Sequence, residues 1–260
     1  MDIAISVFKL SSRRGLFVPG VNIQYAERDS NVVWNLVCGG SRAYVVRFGS
    51  PLLDDPAEQS ADSHFMVRRV TSSLLLGGAG LFHPETCGRL FLRNISGEVS
   101  WTGYLDWPDS PAEEDSRASS DAVHDWCRAL CSHTVLRRAA DDAHIALSNP
   151  HEALIYVYRG LEWLVEGQGI DWKELAKDLG ASVAELRELK KTANVETGVR
   201  HASKSGIKIR TDTRNYYSWV CALFDGINGA RARLEPGFKR MRPKEVATAV
   251  GSALSFVPYD

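Results

Sequence analysis

Apolar and polar residues alternate in short runs through the first hundred positions, the period of strands with one buried face. Val21-Asn22-Ile23-Gln24-Tyr25, Val32-Val33-Trp34-Asn35-Leu36-Val37 and Ala43-Tyr44-Val45-Val46-Arg47-Phe48 each predict a strand, with Gly39-Gly40 turning between the last two. Leu90 to Leu105, broken at Ser96-Gly97, predicts a hairpin. Met66 to Leu76 is an apolar run that periodicity assigns to neither strand nor helix. The alternation ends at the acidic, proline-bearing stretch Asp106 to Asp115, and a spacing of three and four takes over. The pattern predicts an α+β protein: a β-rich N-terminal domain over 1–106, an acidic linker over 107–118 and an all-helical domain over 119–260.

Four helices can be placed in the first part of that helical region. One spans Ser120 to Ser148, with Cys127, Cys131, Val135, Ala139, Ala143 and Ala146 on one face. Asn149-Pro150-His151-Glu152 opens the next with an N-cap, a proline in the first turn and a capping-box glutamate. Its stripe is Leu154, Val157, Tyr158, Leu161, Leu164 and Val165, and Gly167 and Gly169 end it. Asp171 caps a short third helix that stops at Gly180, and Ser182 to Glu185 is a second capping box. In these last two helices Ala176, Gly180 and Leu186 hold helix-turn-helix spacing over 172–191. Glu185 and Glu188 stand among Arg187, Lys190 and Lys191 on the would-be recognition helix, so plain helix packing is favoured over DNA reading.

Composition narrows the class. With 260 residues and 44% hydrophobic content the chain can bury a sizeable core. Met1-Asp2-Ile3-Ala4-Ile5 has an early acid and no basic region, and no apolar run reaches the roughly 18 residues that span a bilayer. A cytoplasmic protein without membrane contact is expected. Five scattered cysteines fit reduced thiols better than a disulfide framework. Net charge is -1, but residues 187–244 carry 14 Lys and Arg against 5 Asp and Glu, while residues 1–186 carry 17 against 25. That basic segment either docks within the protein or is offered to a partner; the partner surface is favoured, because Lys204, Lys208, Arg210 and Arg214 flank a polar, glycine-containing loop.

Candidate chemistry concentrates near Arg200-His201. The stripe Leu186, Leu189, Ala193 projects on to Glu196 and Arg200, which predicts a partly buried guanidinium, and Glu162 is the carboxylate best placed by pattern to form a structural ion pair with it. The competing reading is an anion- or nucleic-acid-binding site made of Asn194, Arg200, His201, Lys204 and Lys208. His124, Cys127 and Cys131 share a helical face at metal-ligand spacing, but buried cysteines in a helix core are the commoner case, and no metal or other cofactor is expected. His83 to Cys87 lacks the second half of a zinc-deaminase signature, and Gly77 to Gly80 lacks the rest of a P-loop. No catalytic residue is assigned.

Tyr158-Arg159-Gly160-Leu161-Glu162-Trp163-Leu164, then Trp172 to Lys177, then Asn194 to Ala202, together resemble the helical part of HEPN-like proteins. More narrowly, the segment 120–210 is similar to methylamine-utilisation accessory proteins of the MauJ type. Catalytic HEPN ribonucleases carry Arg and His four to six residues apart; Arg200 and His201 are adjacent, about 100° apart around a helix. Arg128 with His133 and Arg138 with His144 have such spacings, without a surrounding pattern. The resemblance thus implies a non-enzymatic accessory or interaction protein with a helical HEPN-like domain. The alternative is a nucleic-acid-binding protein, through RNA binding or cleavage or through the helix-turn-helix. The expected partner is a protein or nucleic acid at the basic segment, and a homodimer is compatible with either reading.

Overall fold

The computed structural model describes residues 2–12, 18–26, 31–49, 56–93, 98–103, 120–201 and 213–254. The chain divides into two compact units, Met1–Ser132 and His133–Asp260. The first mixes strands and helices and the second is helical among its described residues, so the α+β class and the β-rich beginning hold.

Unit 1 is one antiparallel sheet with two helices. Strands β1 (Ile3–Ser11), β2 (Val18–Ala26), β3 (Val33–Gly40), β4 (Arg42–Phe48), β5 (His83–Arg93) and β6 (Glu98–Gly103) lie in the order β2-β3-β4-β1-β5-β6. The three alternating runs fall on β2, β3 and β4; the hairpin forms from β5 and β6, with Arg93 paired to Glu98, but β5 begins at His83, seven residues before the expected Leu90. The strand that alternation missed, β1, lies between β4 and β5. Its apolar residues run almost without a break, and Phe8, Val7 and Leu10 are all buried, so period two is masked. The ambiguous run Met66 to Leu76 closes helix α1 (Pro56–Leu76). Met66, Val67, Val70 and Leu74 pack with Phe8, Ile23, Trp34, Leu36 and Val45 of the sheet in a single core.

The helix expected over Ser120 to Ser148 is two helices. His133 is extended (φ -123, ψ 104) and separates α2 (Ser120–Ser132) from α3 (Thr134–Ser148). Val123, Cys127 and Cys131 of α2 enter the unit 1 core, so the division falls at Ser132/His133, beyond the acidic stretch. The apolar period continues unbroken across His133 with neither glycine nor proline to mark the stop, which hides the break from a hydrophobic pattern.

Unit 2 contains α3, then α4 (Ala153–Gln168), α5 (Trp172–Leu179), α6 (Val183–His201), α7 (Thr213–Leu234) and α8 (Pro243–Leu254). Helix α4 packs on α3, α6 and α7, and α5 packs on α6 and α7. The predicted stripe of α4 is buried at Leu154, Val157, Tyr158, Leu161, Leu164 and Val165. Its expected capping box does not form. Pro150 to Glu152 make a 3-10 turn, and Asn149 Nδ2 donates instead to Glu152 Oε2 (3.0 Å). Gly167 lies within α4, against Val135, and Gly169 is the C-cap. Among the described residues no helix is long and apolar enough to cross a membrane.

Candidate functional site

The two short elements that the sequence marked most clearly build the site. Asp171 Oδ1 accepts from the backbone N–H of Lys173 (2.9 Å) and Glu174 (2.8 Å), which starts α5 at Trp172. Gly180 ends it in the left-handed region at φ +63. Ser182 and Glu185 exchange hydrogen bonds, Ser182 N to Glu185 Oε2 (2.7 Å) and Glu185 N to Ser182 Oγ (3.2 Å), and so start α6. The capping predictions for α5 and α6 therefore hold, and the tight turn fixes how the two helices meet.

On α6 the buried line Leu186, Leu189, Ala193 seats the helix against the core. Val183, Leu186, Arg187 and Lys190, spaced three and four apart, form one flank and face Tyr158 of α4 and Trp172 and Lys173 of α5 across an open cleft of about 390 Å³. The floor is aromatic: the Tyr158 and Trp172 rings stack with centroids 5.6 Å apart and planes 2° apart. Tyr158 is 7% exposed, and burial raises its phenol well above the ordinary range, with the hydrogen bond to Glu162 and the charges of Glu162 and Glu166 adding to the shift. Lys190 Nζ stands 5.9 Å above the Tyr158 ring. The rim is cationic. Among the described residues, Lys173, Arg187 and Lys190 have no carboxylate within ion-pair distance, and the one carboxylate lining the cleft, Asp171, is engaged as the α5 cap.

The opposite flank of α6 has the other sign. Glu185, Glu188 and Leu189 line a second cleft of about 420 Å³ with Leu154, Leu179 and Trp219. Glu188 also pairs with Lys191 (3.2 Å).

Among the described residues of the basic segment, several other cations are paired. Arg231 meets Glu235 (2.7 Å), Arg242 meets Glu245 (2.6 Å), and Arg233 bonds Asp178 and Gln168. Arg240 donates to the carbonyls of Asp178 (3.2 Å) and Asp225 (3.4 Å). The rim cations Arg187 and Lys190 stand apart from these pairs.

Of the residues singled out earlier, Asn194, Arg200 and His201 belong to α6, but their side chains lie outside the described residues, as do Lys204 and Lys208 entirely. The Glu162–Arg200 ion pair accordingly also falls outside the described residues; Glu162 itself accepts the Tyr158 hydroxyl. The buried ion pair that is described joins Asp142 of α3 to Arg159 of α4, whose Nε lies 3.0 Å from both carboxylate oxygens. Asp142 is 2% exposed, and burial raises its pKa against the opposing effects of Arg159 and the Trp163 indole. Its signal in the sequence was a lone carboxylate phased onto the alanine stripe Ala139, Ala143, Ala146.

Three residues of the Arg-His pairs of ribonuclease spacing contact other groups: Arg128 meets His124 (3.1 Å), His133 meets Glu235 (3.4 Å), and Arg138 lies 4.2 Å over the Trp163 ring. Cys127 is fully buried, and a hydrogen bond with Cys131 together with burial pushes its thiol up. Among the described residues no three His, Cys, Asp or Glu are grouped to hold a metal ion. Compared with protein-family models, with curated proteins and with solved structures, the chain matches none.

Proposed function

We propose that the chain is a non-enzymatic accessory protein whose helical unit binds a partner protein through the surface of α4, α5 and α6. The observation that carries this reading is the cleft between Trp172 and Arg187: aromatic at the floor, open to solvent, and rimmed by cations that have no carboxylate partner among the described residues. Polar groups left unneutralised around an apolar concavity give a binding site both adhesion and orientation. The resemblance of 120–210 to HEPN-like accessory proteins of the MauJ type belongs to the same proposal, and a role beside methylamine utilisation is its narrowest form.

The nucleic-acid reading is favoured less, for a stated reason. A polyanion laid across α6 would meet Glu185 and Glu188 on one flank as it met Arg187 and Lys190 on the other. Incubation with single-stranded and structured RNA, followed by a gel shift at several salt concentrations, tests the choice. Intact, unretarded RNA at physiological salt is expected. Retardation that weakens steeply with salt, or metal-independent cleavage lost in His201→Ala or His133→Ala, would replace the accessory reading with a nucleic-acid one.

A further inference from the structure

We infer that the cleft between α4, α5 and α6 takes an acidic peptide segment of the partner, with one bulky apolar side chain inserted over Trp172 and carboxylates on the rim. This rests on the partner-binding reading above and names what that partner presents.

The size and lining argue for a single inserted side chain. About 390 Å³ bounded by Tyr158, Trp172, Val183 and Leu186 has room for an aromatic or long aliphatic group with part of its backbone. Trp172 is half-buried and already stacked on Tyr158, so an incoming ring can pack on the pair without displacing it. The rim selects charge. Lys173 comes from the first turn of α5, and Arg187 and Lys190 from successive turns of α6, so the cations lie on two walls of one opening. Carboxylates flanking the inserted residue would meet them from either side, where an Arg can bind bidentately and a Lys as a point charge.

A nucleic acid fits the opening less well. A base could stack on Trp172, but a phosphate chain continuing toward the Tyr158 hydroxyl meets Glu162 and Glu166, and one continuing across α6 meets Glu185 and Glu188. A short acidic peptide meets only the rim. Charge complementarity therefore favours a peptide with local acidity over a polymer with uniform charge.

Fluorescence anisotropy with the full chain tests this. The probe is a labelled peptide with one tryptophan between acidic residues; the comparison probes replace the tryptophan by alanine, replace the carboxylates by amides, or are a labelled oligouridine. Binding of the first probe is expected to weaken by about ten-fold or more with either peptide change, and as much in Arg187→Glu/Lys190→Glu. The charge-matched Lys239→Glu/Lys244→Glu, away from the cleft, should bind as wild type. Trp172→Ala should lose binding, and Trp172→Phe, which keeps an aromatic floor and guards against misfolding, should retain most of it.

Absence of binding by the acidic tryptophan peptide, or binding unchanged by the Arg187/Lys190 reversal, overturns the inference. If RNA is also unretarded in the gel shift, the accessory reading survives that failure and only the cleft's occupant is wrong. Tighter binding of oligouridine, abolished by the same reversal, overturns both.

Discussion

At the scale of single residues, the Asp142–Arg159 pair shows how a buried carboxylate is tolerated. Asp142 is enclosed by the α3–α4 packing, while Arg159 reaches it from a half-exposed position on α4. Removing the cation strands the carboxylate, so Arg159→Leu should destabilise the protein by about 2–4 kcal/mol in urea unfolding. Asp142→Asn in that background should recover most of the loss; an additive second loss would mean that the pair is not what holds the carboxylate. The pH dependence has a definite sign. The folded pKa of Asp142 is raised, so its contribution is most favourable when protonated and declines as pH rises through the folded value. Asp142→Asn should therefore flatten the fall in stability above about pH 4, the unfolded value of an aspartate. Thiols follow the same logic: burial pushes Cys38 up to about 12, and the hydrogen bond with Cys131 together with burial pushes Cys127 well above its ordinary value. Both should resist iodoacetamide at pH 8 in the folded protein and react after denaturation, as read by mass spectrometry. Rapid labelling of either in the native state would contradict the burial of that core.

At the scale of elements, capping chemistry was the most legible feature of the sequence and packing distance the least. Asp171, Ser182 and Glu185 name their helix starts because each side chain bonds the backbone within three residues, an interaction that needs no tertiary partner. The break at His133 and the burial of Val7 opposite the buried even-numbered face of β1 depend on what packs against them, so neither leaves a local mark. Asn149 to Glu152 matched a capping box and became a 3-10 turn, showing that the motif alone does not choose between adjacent helical geometries. Close helix contact is equally silent in sequence. A methyl group at Gly160 would lie 2.8 Å from Leu223 Cδ1, where α4 meets α7. Gly160→Ala should therefore cost about 1–3 kcal/mol through overpacking, despite the better helix propensity of alanine. At Gly180, where a side chain meets no atom but φ is +63, alanine should cost only about 1 kcal/mol. Equal melting temperatures for wild type and Gly160→Ala would show that α4 and α7 can separate without cost.

At the scale of the whole molecule, the uneven charge resolves, among the described residues, into ion pairs and single cations, of which Lys173, Arg187 and Lys190 gather at one cleft. The sequence showed the basic surplus over 187–244, but not that, among the described residues, Arg231 and Arg242 pair with glutamates three or four residues on and Arg233 with Asp178 of α5, while Arg187 and Lys190 have no such partner. Partner choice among like charges is set by folding, which is why the site could be foreseen as basic and not placed. Of the residues first proposed for anion binding, Asn194, Arg200 and His201 share α6 with Arg187 and Lys190 of the cleft, which were seen only as neighbours of carboxylates on a recognition helix. Because both rim residues are exposed, Arg187→Glu/Lys190→Glu should leave urea-unfolding stability within about 0.5 kcal/mol of wild type, so that any lost binding reports on the surface itself. The most direct measurement is a titration of the isotopically labelled protein with the acidic tryptophan peptide, following the indole N–H resonances and assigning Trp172 by its loss in Trp172→Phe. The Trp172 resonance should shift in proportion to bound peptide while that of the buried core residue Trp34 stays in place. A Trp172 resonance that does not move at saturating peptide, or that moves with oligouridine instead, would contradict the assignment of this cleft to an acidic protein partner.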